Sequence, residues 1–317
     1  MSNPPLYLIG GPTASGKTAA ALELAAKEGG AIINTDAMQV YRGLPLLTAQ
    51  PSAAQKAACP HFLFEIFGPE ERSSAGRWLA LARDAIAQAR AQDHTPILVG
   101  GTGLYFASLL GELADIPSIP DEVRAAALSF YNKVGHDAFR AELAKSDPDS
   151  AARIKRNDRQ RLIRSYEVVQ HTGKPITYWQ AQGRAASVEN SFTVHRRLLM
   201  PEREALYAAC DARFLKMMEA GALEEVKALL PLFDSRFELQ EPARSRPLAG
   251  RVREGGEEGL SSFPLPQDSL PALKILGVPE LAAHLRGDLS LDEAVARAQQ
   301  STRNYAKRQV TWFRHQW

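Results

Sequence analysis

Three short segments carry residue types that can do chemistry together. Residues 11–18 read Gly-Pro-Thr-Ala-Ser-Gly-Lys-Thr, directly after the apolar run Leu6-Tyr7-Leu8-Ile9. This spacing makes a phosphate-binding loop. Glycines let the chain curl so that backbone N–H groups point inward, Lys17 adds positive charge, and the Thr18 hydroxyl is a ligand for Mg²⁺. Gly11, Pro12, Thr13, Ala14, Ser15, Gly16, Lys17 and Thr18 are therefore candidate phosphate-binding residues. The helix that starts behind the loop also favours anions. Asp36 closes the second segment, Ala31-Ile-Ile-Asn-Thr-Asp36. A carboxylate just after a strand can help hold Mg²⁺ or take a proton from an attacking nucleophile. It can also merely cap a helix over Ala37-Met38-Gln39. The third segment, Gly100-Gly101-Thr102-Gly103-Leu104-Tyr105, lets backbone approach a ligand closely and predicts a second wall of the pocket.

These segments need a sheet to bring them together. Leu6–Ile9, Ala31–Asn34 and Pro96–Val99 are short apolar runs bounded by turn residues and separated by helical patterns. That alternation predicts an α/β fold: a P-loop NTPase-like parallel sheet flanked by helices, with ligands at the carboxyl ends of its strands. Residues 75–92 read as a helix with Trp78, Leu81, Ala85 and Ala89 on one stripe, and 192–200 as a further strand despite its Arg pair. Residues 115–190 carry helical patterns without a strand signal, entered through Asp115-Ile-Pro-Ser-Ile-Pro120. The expected organisation is a core of 1–114 and 191–317 with an all-helical insertion domain at 115–190. Residues 234–270, rich in Arg, Glu, Pro and Gly, have no usable period and read as a flexible loop.

Composition narrows the classes. The chain has 317 residues, 45% hydrophobic and 23% charged, in the ordinary range for a globular protein. No apolar run reaches the length of about 18 residues needed to cross a membrane, and no signal core precedes the first strand. Two distant cysteines, Cys59 and Cys210, exclude a disulfide framework and a zinc cluster, and point to a reducing, cytoplasmic location. The seven histidines show no metal-ligand spacing, and His61 reads as a packed or capping residue.

The net charge is only +2, yet it is unevenly spread. Arg153–Lys174 holds seven Lys/Arg against two acids, and Ala294–Trp317 holds five against none. Such local basic surfaces suit a polyanion. Residues 151–164 read as one helix, with Arg153, Arg156, Gln160 and Arg164 near one face. The segment Thr302–Arg314 interleaves Lys/Arg with Tyr305, Trp312 and Phe313, which can hold phosphates and present flat rings or pack into a core. Residues 207–221 form an amphipathic helix with Leu206, Phe214, Met217 and Met218 on its apolar side. Taken alone, Arg213 on that helix reads as a surface residue.

In combination these residues resemble the tRNA dimethylallyltransferase (bacterial tRNA isopentenyltransferase) family. The resemblance rests on Gly11–Thr18, on Asp36-Ala-Met-Gln-Val-Tyr-Arg-Gly43 and on Pro60-His61. It continues through Gly100–Tyr105, Asn157-Asp-Arg-Gln-Arg-Leu162, Arg213-Phe214 with Gly221, and Ala306-Lys-Arg-Gln-Val-Thr-Trp-Phe-Arg314.

The resemblance implies transfer of a dimethylallyl group from dimethylallyl diphosphate to N6 of the adenosine just 3′ of the anticodon, in tRNAs reading codons that begin with U. It makes Asp36, Lys17, Thr18 and Arg213 the catalytic set, with Mg²⁺ on Thr18 and Asp36 taking the amine proton. The tRNA contacts it implies are Asp36, Ala37, Met38, Gln39, Thr102, Gln160, Arg161, Leu162, Ile163 and Arg164. A monomer without a membrane partner is expected. The chain departs from the family pattern where Ala37 replaces a common serine. It departs again at Gly277-Val278-Pro279-Glu280, where many members have Gly-Tyr-Lys-Glu. It ends three residues after Arg314, without the zinc-finger extension of eukaryotic members, which suits a bacterial form.

Other readings stay open at this level. The phosphate loop by itself suits a small-molecule phosphoryl transferase, and ATP or any diphosphate of suitable shape could enter it. Prenyl transfer to free AMP or ATP gives the basic segments no role. An RNA-binding NTPase switch gives Asp36 no role as a base.

Overall fold

The computed structural model describes residues 3–183, 186–237 and 271–317. The apolar runs become strands β1 (Pro5–Gly10), β2 (Gly30–Asn34), β3 (His61–Phe62), β4 (Thr95–Gly100) and β5 (Thr193–Leu198), in one sheet of order β3-β2-β4-β1-β5. β4 pairs in parallel with both β1 and β2, with Ile97 opposite Tyr7 on one side and Ile32 on the other. β3 pairs in parallel with β2. The Thr193 N–H donates to the Pro4 carbonyl and the Leu199 N–H to the Gly10 carbonyl, both at 2.9 Å. That constant offset makes β5 parallel to β1 as well. β3 is too short to show a period in the sequence. β5 is the last strand in that order, and its Arg196 and Arg197 are exposed.

Thirteen helices occur among the described residues. α1 (Lys17–Glu28), α2 (Ala53–Ala58), α3 (Ala75–Ala91) and α4 (Gly103–Leu109) alternate with the strands. α5 (Asp121–Val134), α6 (His136–Ala144), α7 (Pro148–Arg153), α8 (Arg159–Thr172) and α9 (Ile176–Gln182) follow. After β5 come α10 (Arg203–Glu219), α11 (Ala222–Phe237), α12 (Val278–Leu285) and α13 (Leu291–Gln316). The chain divides into two compact units, one of Pro5–Gly103 with Val194–Trp317 and the other built on Leu104–Thr193.

In the sheet unit, Leu6, Leu8, Ile9, Ile33, Ile97 and Leu98 are fully buried. Continuous apolar strands of this kind need helices on both faces. Ala21 and Ala25 of α1 pack on Ile9, Ile32 and Ile97. The small side chains let the helix lie close to the sheet, which holds the loop before it in place. Trp78 of α3 is wholly buried and donates its indole N–H to the Asn34 carbonyl at 3.0 Å, pinning the end of β2.

The helical unit has its own core of Ala127, Phe139, Leu143, Ala151, Leu162 and Ile163. Its first residues lie earlier than the boundary at 115 that the sequence suggests. The single helix expected over 151–164 is two helices. α7 stops at Arg153, and Asp158 then caps α8 by accepting the Arg161 N–H at 3.1 Å. A new N-cap resets the helical phase, so Arg153 and Arg156 share no face with Gln160 and Arg164. α11 runs to Phe237, so 234–237 are helical; the rest of the loop expected over 234–270 lies outside the described residues.

Candidate active site

The phosphate loop bridges β1 and α1. Ala14 (φ 60°) and Gly16 (φ 85°) both adopt the left-handed conformation, which curls the loop. Gly16 is the N-cap of α1 and offers no side-chain acceptor, so the first-turn N–H groups stay open to an anion. The Ser15 hydroxyl is buried and has no hydrogen-bond partner among the described residues. A buried polar atom without a partner costs stability unless a ligand satisfies it.

Lys17 donates to the Pro12 carbonyl across the loop. Burial of its ammonium pushes the pKa down to about 8; the Asp36 charge works against this and the Arg213 charge adds to it. Arg213 reaches the same place from α10, donating to the Thr13 hydroxyl. Burial lowers its pKa too, with Cys210 and then Asp36 opposing. A guanidinium keeps its charge regardless. The expectation of a surface Arg213 is thus overturned. The signal was present in the spacing: Leu206, Cys210, Arg213 and Met217 recur at i, i+4, i+7 and i+11, and the other three are buried. Leu206, Cys210 and Ala306 of α13 pack together against Ala14, supporting the loop from below.

Asp36 is held by its neighbour. The fully buried Asn34 accepts the Asp36 N–H at 2.9 Å and donates to the carbonyls of Asp36 and Leu63 at 3.1 and 3.0 Å. One Asp36 carboxylate oxygen, Oδ1, accepts the Met38 N–H at 2.9 Å. The capping reading is therefore half right. The bond closes an Asx turn, no helix forms over 37–39, and Oδ2 remains for a ligand.

The third segment lies against the second. The Thr102 hydroxyl accepts the Ala37 N–H at 2.9 Å, and the Thr102 N–H donates to the Thr35 carbonyl at 3.2 Å. Its glycines serve packing more than ligand approach. A Cβ on Gly100 would sit 2.0 Å from the Thr35 carbonyl oxygen, and one on Gly103 would sit 2.1 Å from the Trp312 indole. Trp312 and the buried Phe313 are thus packing residues of α13, the latter against Gly10.

This edge has one lysine, one arginine and one carboxylate around an anion-binding loop; the IPP transferase family model matches residues 39–316, which include Thr102 and Arg213, and an isopentenyl transferase model matches residues 4–57, which include the loop and Asp36. The chain belongs to the IPP transferase family. It is 49% identical over 312 residues to the tRNA dimethylallyltransferase of Rhodospirillum centenum, covering 98% of this chain and 89% of that protein. It is 45% identical to the Phenylobacterium zucineum protein of the same name, with 99% and 90% covered. Among solved structures it resembles the tRNA isopentenylpyrophosphate transferase of Bacillus halodurans (30% identity, TM-score 0.60, 98% of this chain and 86% of that one). It also resembles a eukaryotic dimethylallyltransferase captured acting on tRNA (26% identity, TM-score 0.78, 98% and 69%).

The remaining candidate residues of this IPP transferase fall into two groups. In the sheet unit, the Gln39 amide is engaged, donating to the Thr48 and Ala49 carbonyls at 3.0 and 2.8 Å. That same turn is held from α11 by Glu225, which reading the sequence missed. Its carboxylate accepts the Leu46 and Leu47 N–H groups at 2.6 and 3.0 Å, and burial raises its pKa. Val278 is fully buried and Pro279 lies in the first turn of α12, where its missing N–H breaks no helical hydrogen bond, so the departure at these positions suits packing and helix initiation. Gln309, also missed, is buried and bridges Thr13 to Gly101.

In the helical unit, Gln160 and Arg161 are exposed on the first turn of α8, and Arg164 is half-buried beside Glu167 at 3.4 Å. Leu162 and Ile163 are buried in the core of the helical unit.

Proposed function

We propose that this IPP transferase moves a dimethylallyl group from dimethylallyl diphosphate to N6 of the adenosine just 3′ of a tRNA anticodon. The observation that carries the reading is the convergence of Lys17 and Arg213 on the phosphate loop, near enough to Asp36 for its charge to act on both. Two cations gather where a diphosphate would leave, and a carboxylate stands where a nucleophile would approach.

In this reading the loop N–H groups, the Ser15 hydroxyl, Lys17 and Arg213 bind the diphosphate. N6 attacks C1 of the dimethylallyl group, the C1–O bond breaks, and its electron pair leaves on the diphosphate oxygen. Charge that grows on the leaving group is stabilised by fixed donors, the usual large electrostatic contribution. The amine proton passes to the free oxygen of Asp36. An exocyclic amine is a weak nucleophile, so alignment and proton removal both count. The base must leave its stack to reach the site. Ala37, Met38 and Thr102 would line its approach, and Gln160, Arg161 and Arg164 would contact the RNA.

Mg²⁺ fits the donor set in a limited way. No group of three or more His, Cys, Asp or Glu among the described residues could hold a metal. The exposed Thr18 hydroxyl at the start of α1 is the protein oxygen offered, leaving diphosphate and water to complete the shell. Bound there, the ion would neutralise part of the leaving-group charge. No helix among the described residues is long and apolar enough to cross a membrane, and the proposed place of action is the cytoplasm, where tRNA is found.

The deciding assay supplies dimethylallyl diphosphate and Mg²⁺ with an unmodified anticodon stem-loop, with AMP, or with ATP and small acceptors. Prenylated adenosine in the RNA is expected. Phosphoryl transfer from ATP without prenylation would overturn the reading.

A further inference from the structure

Gln309 joins the two halves of the site through one side chain. It lies on α13 and is 5% exposed. Its Oε1 accepts the Thr13 N–H at 2.8 Å, and its Nε2 donates to the Gly101 carbonyl at 2.9 Å. One partner is a donor and the other an acceptor, so only this orientation of the amide satisfies both.

Each partner is the start of a chain of contacts. Thr13 belongs to the phosphate loop, and its hydroxyl receives Arg213. Gly101 precedes Thr102, which bonds to the backbone of Thr35 and of Ala37, on either side of Asp36. The path from the anion-binding loop to the carboxylate therefore runs Thr13, Gln309, Gly101, Thr102, Ala37, Asp36. A Cβ at 101 would come within 2.1 Å of the Gln309 amide nitrogen, so the glycine leaves the amide its place. Trp312 and Phe313, on the next turn of α13, lie against Gly103 and Gly10 and hold that part of the helix beside the site.

We infer that Gln309 is a positioning residue for prenyl transfer: it sets the separation between the diphosphate in the phosphate loop and the amine at Asp36. The inference rests on the function proposed above. Gln309 touches neither reactant. It acts on the geometry of attack, where an error of about 1 Å costs on the order of 100-fold in rate.

The test uses three variants of the full chain. Q309M keeps the shape of the side chain and loses both polar atoms. Q309E keeps the acceptor toward Thr13 and sets a carboxylate oxygen against the Gly101 carbonyl. Q309N keeps the amide one methylene too short. Each is measured for single-turnover rate at saturating dimethylallyl diphosphate, Mg²⁺ and stem-loop, for stem-loop affinity and for melting temperature. A fall in single-turnover rate of about 10–100-fold per folded molecule is expected, with stem-loop affinity unchanged. Should Q309M not fold, Q309E and Q309N are read on the same scale. A lowered melting temperature with an unchanged single-turnover rate would show a merely structural role and overturn the inference. Wild-type protein that fails to prenylate RNA defeats the functional reading and this inference together; wild-type turnover matched by the variants defeats this inference alone.

Discussion

The Arg213 guanidinium donates a hydrogen bond to the Thr13 hydroxyl, two residues separated by 200 positions in the chain. The contact places a second half-buried cation on the phosphate loop beside Lys17. In the proposed function Arg213 stabilises the leaving diphosphate, so on replacing it by Ala kcat is expected to fall about 10²–10³-fold. Arg213→Lys should recover little of this, because a point charge cannot reproduce the planar fork. Steady-state kinetics with the stem-loop substrate measures both.

Asp36→Asn separates the two jobs of that side chain. An asparagine oxygen can still accept the Met38 N–H that Oδ1 now holds, so the turn survives. The base is lost, and kcat should drop about 10²–10⁴-fold with stem-loop affinity retained. Wild-type turnover in this variant would end the general-base assignment.

Lys17 gives the site a pH dependence. Burial lowers its pKa from 10.5 to about 8. In the proposed function diphosphate binding uses the ammonium, so affinity should be constant below that value and weaken above it, by at most about tenfold per pH unit for one proton. Isothermal titration from pH 6.5 to 9.5 reads this directly. Ligand-free stability moves the opposite way. Between about 8 and 10.5 the unfolded chain keeps a proton that the folded protein has released, so stability should rise with pH across that window.

Gly100→Ala tests the packing role of the glycine-rich segment. The added Cβ meets the Thr35 carbonyl at 2.0 Å, and a backbone atom cannot swing away. Overpacking of this kind costs about 1–3 kcal/mol or more, which thermal denaturation would register as a clear fall in melting temperature.

On α8, adjacent residues should behave differently. Arg161→Ala removes an exposed cation and should weaken stem-loop binding and its salt dependence without loss of stability. Leu162→Ala opens a cavity in the helical unit and should cost about 2–5 kcal/mol. Equal RNA affinity for wild type and Arg161→Ala would remove that residue from the proposed interface.

Much of this was legible in the linear sequence. The spacing of Gly11 to Thr18, the apolar runs of β1, β2 and β4, and the place of Asp36 after β2 are local patterns that translate into local geometry. They determined the sheet, the anion-binding loop and the edge where ligands enter, and the order of the motifs pointed to the family. Less came through where a signal was short or had two readings. β3 has two residues, and the break between α7 and α8 depends on one capping aspartate.

Only the tertiary structure decided which distant groups complete the site. The Arg213 guanidinium meets Thr13 across 200 positions, and Gln309 meets Thr13 across 296. Glycines 100 and 103 answer to Thr35 and Trp312, and Leu162 packs into the core of the helical unit. The physical reason is the same in each case. A motif specifies the conformation of its own few residues, whereas which side chain fills the space beside it is settled by close packing between elements that meet only when the chain has folded.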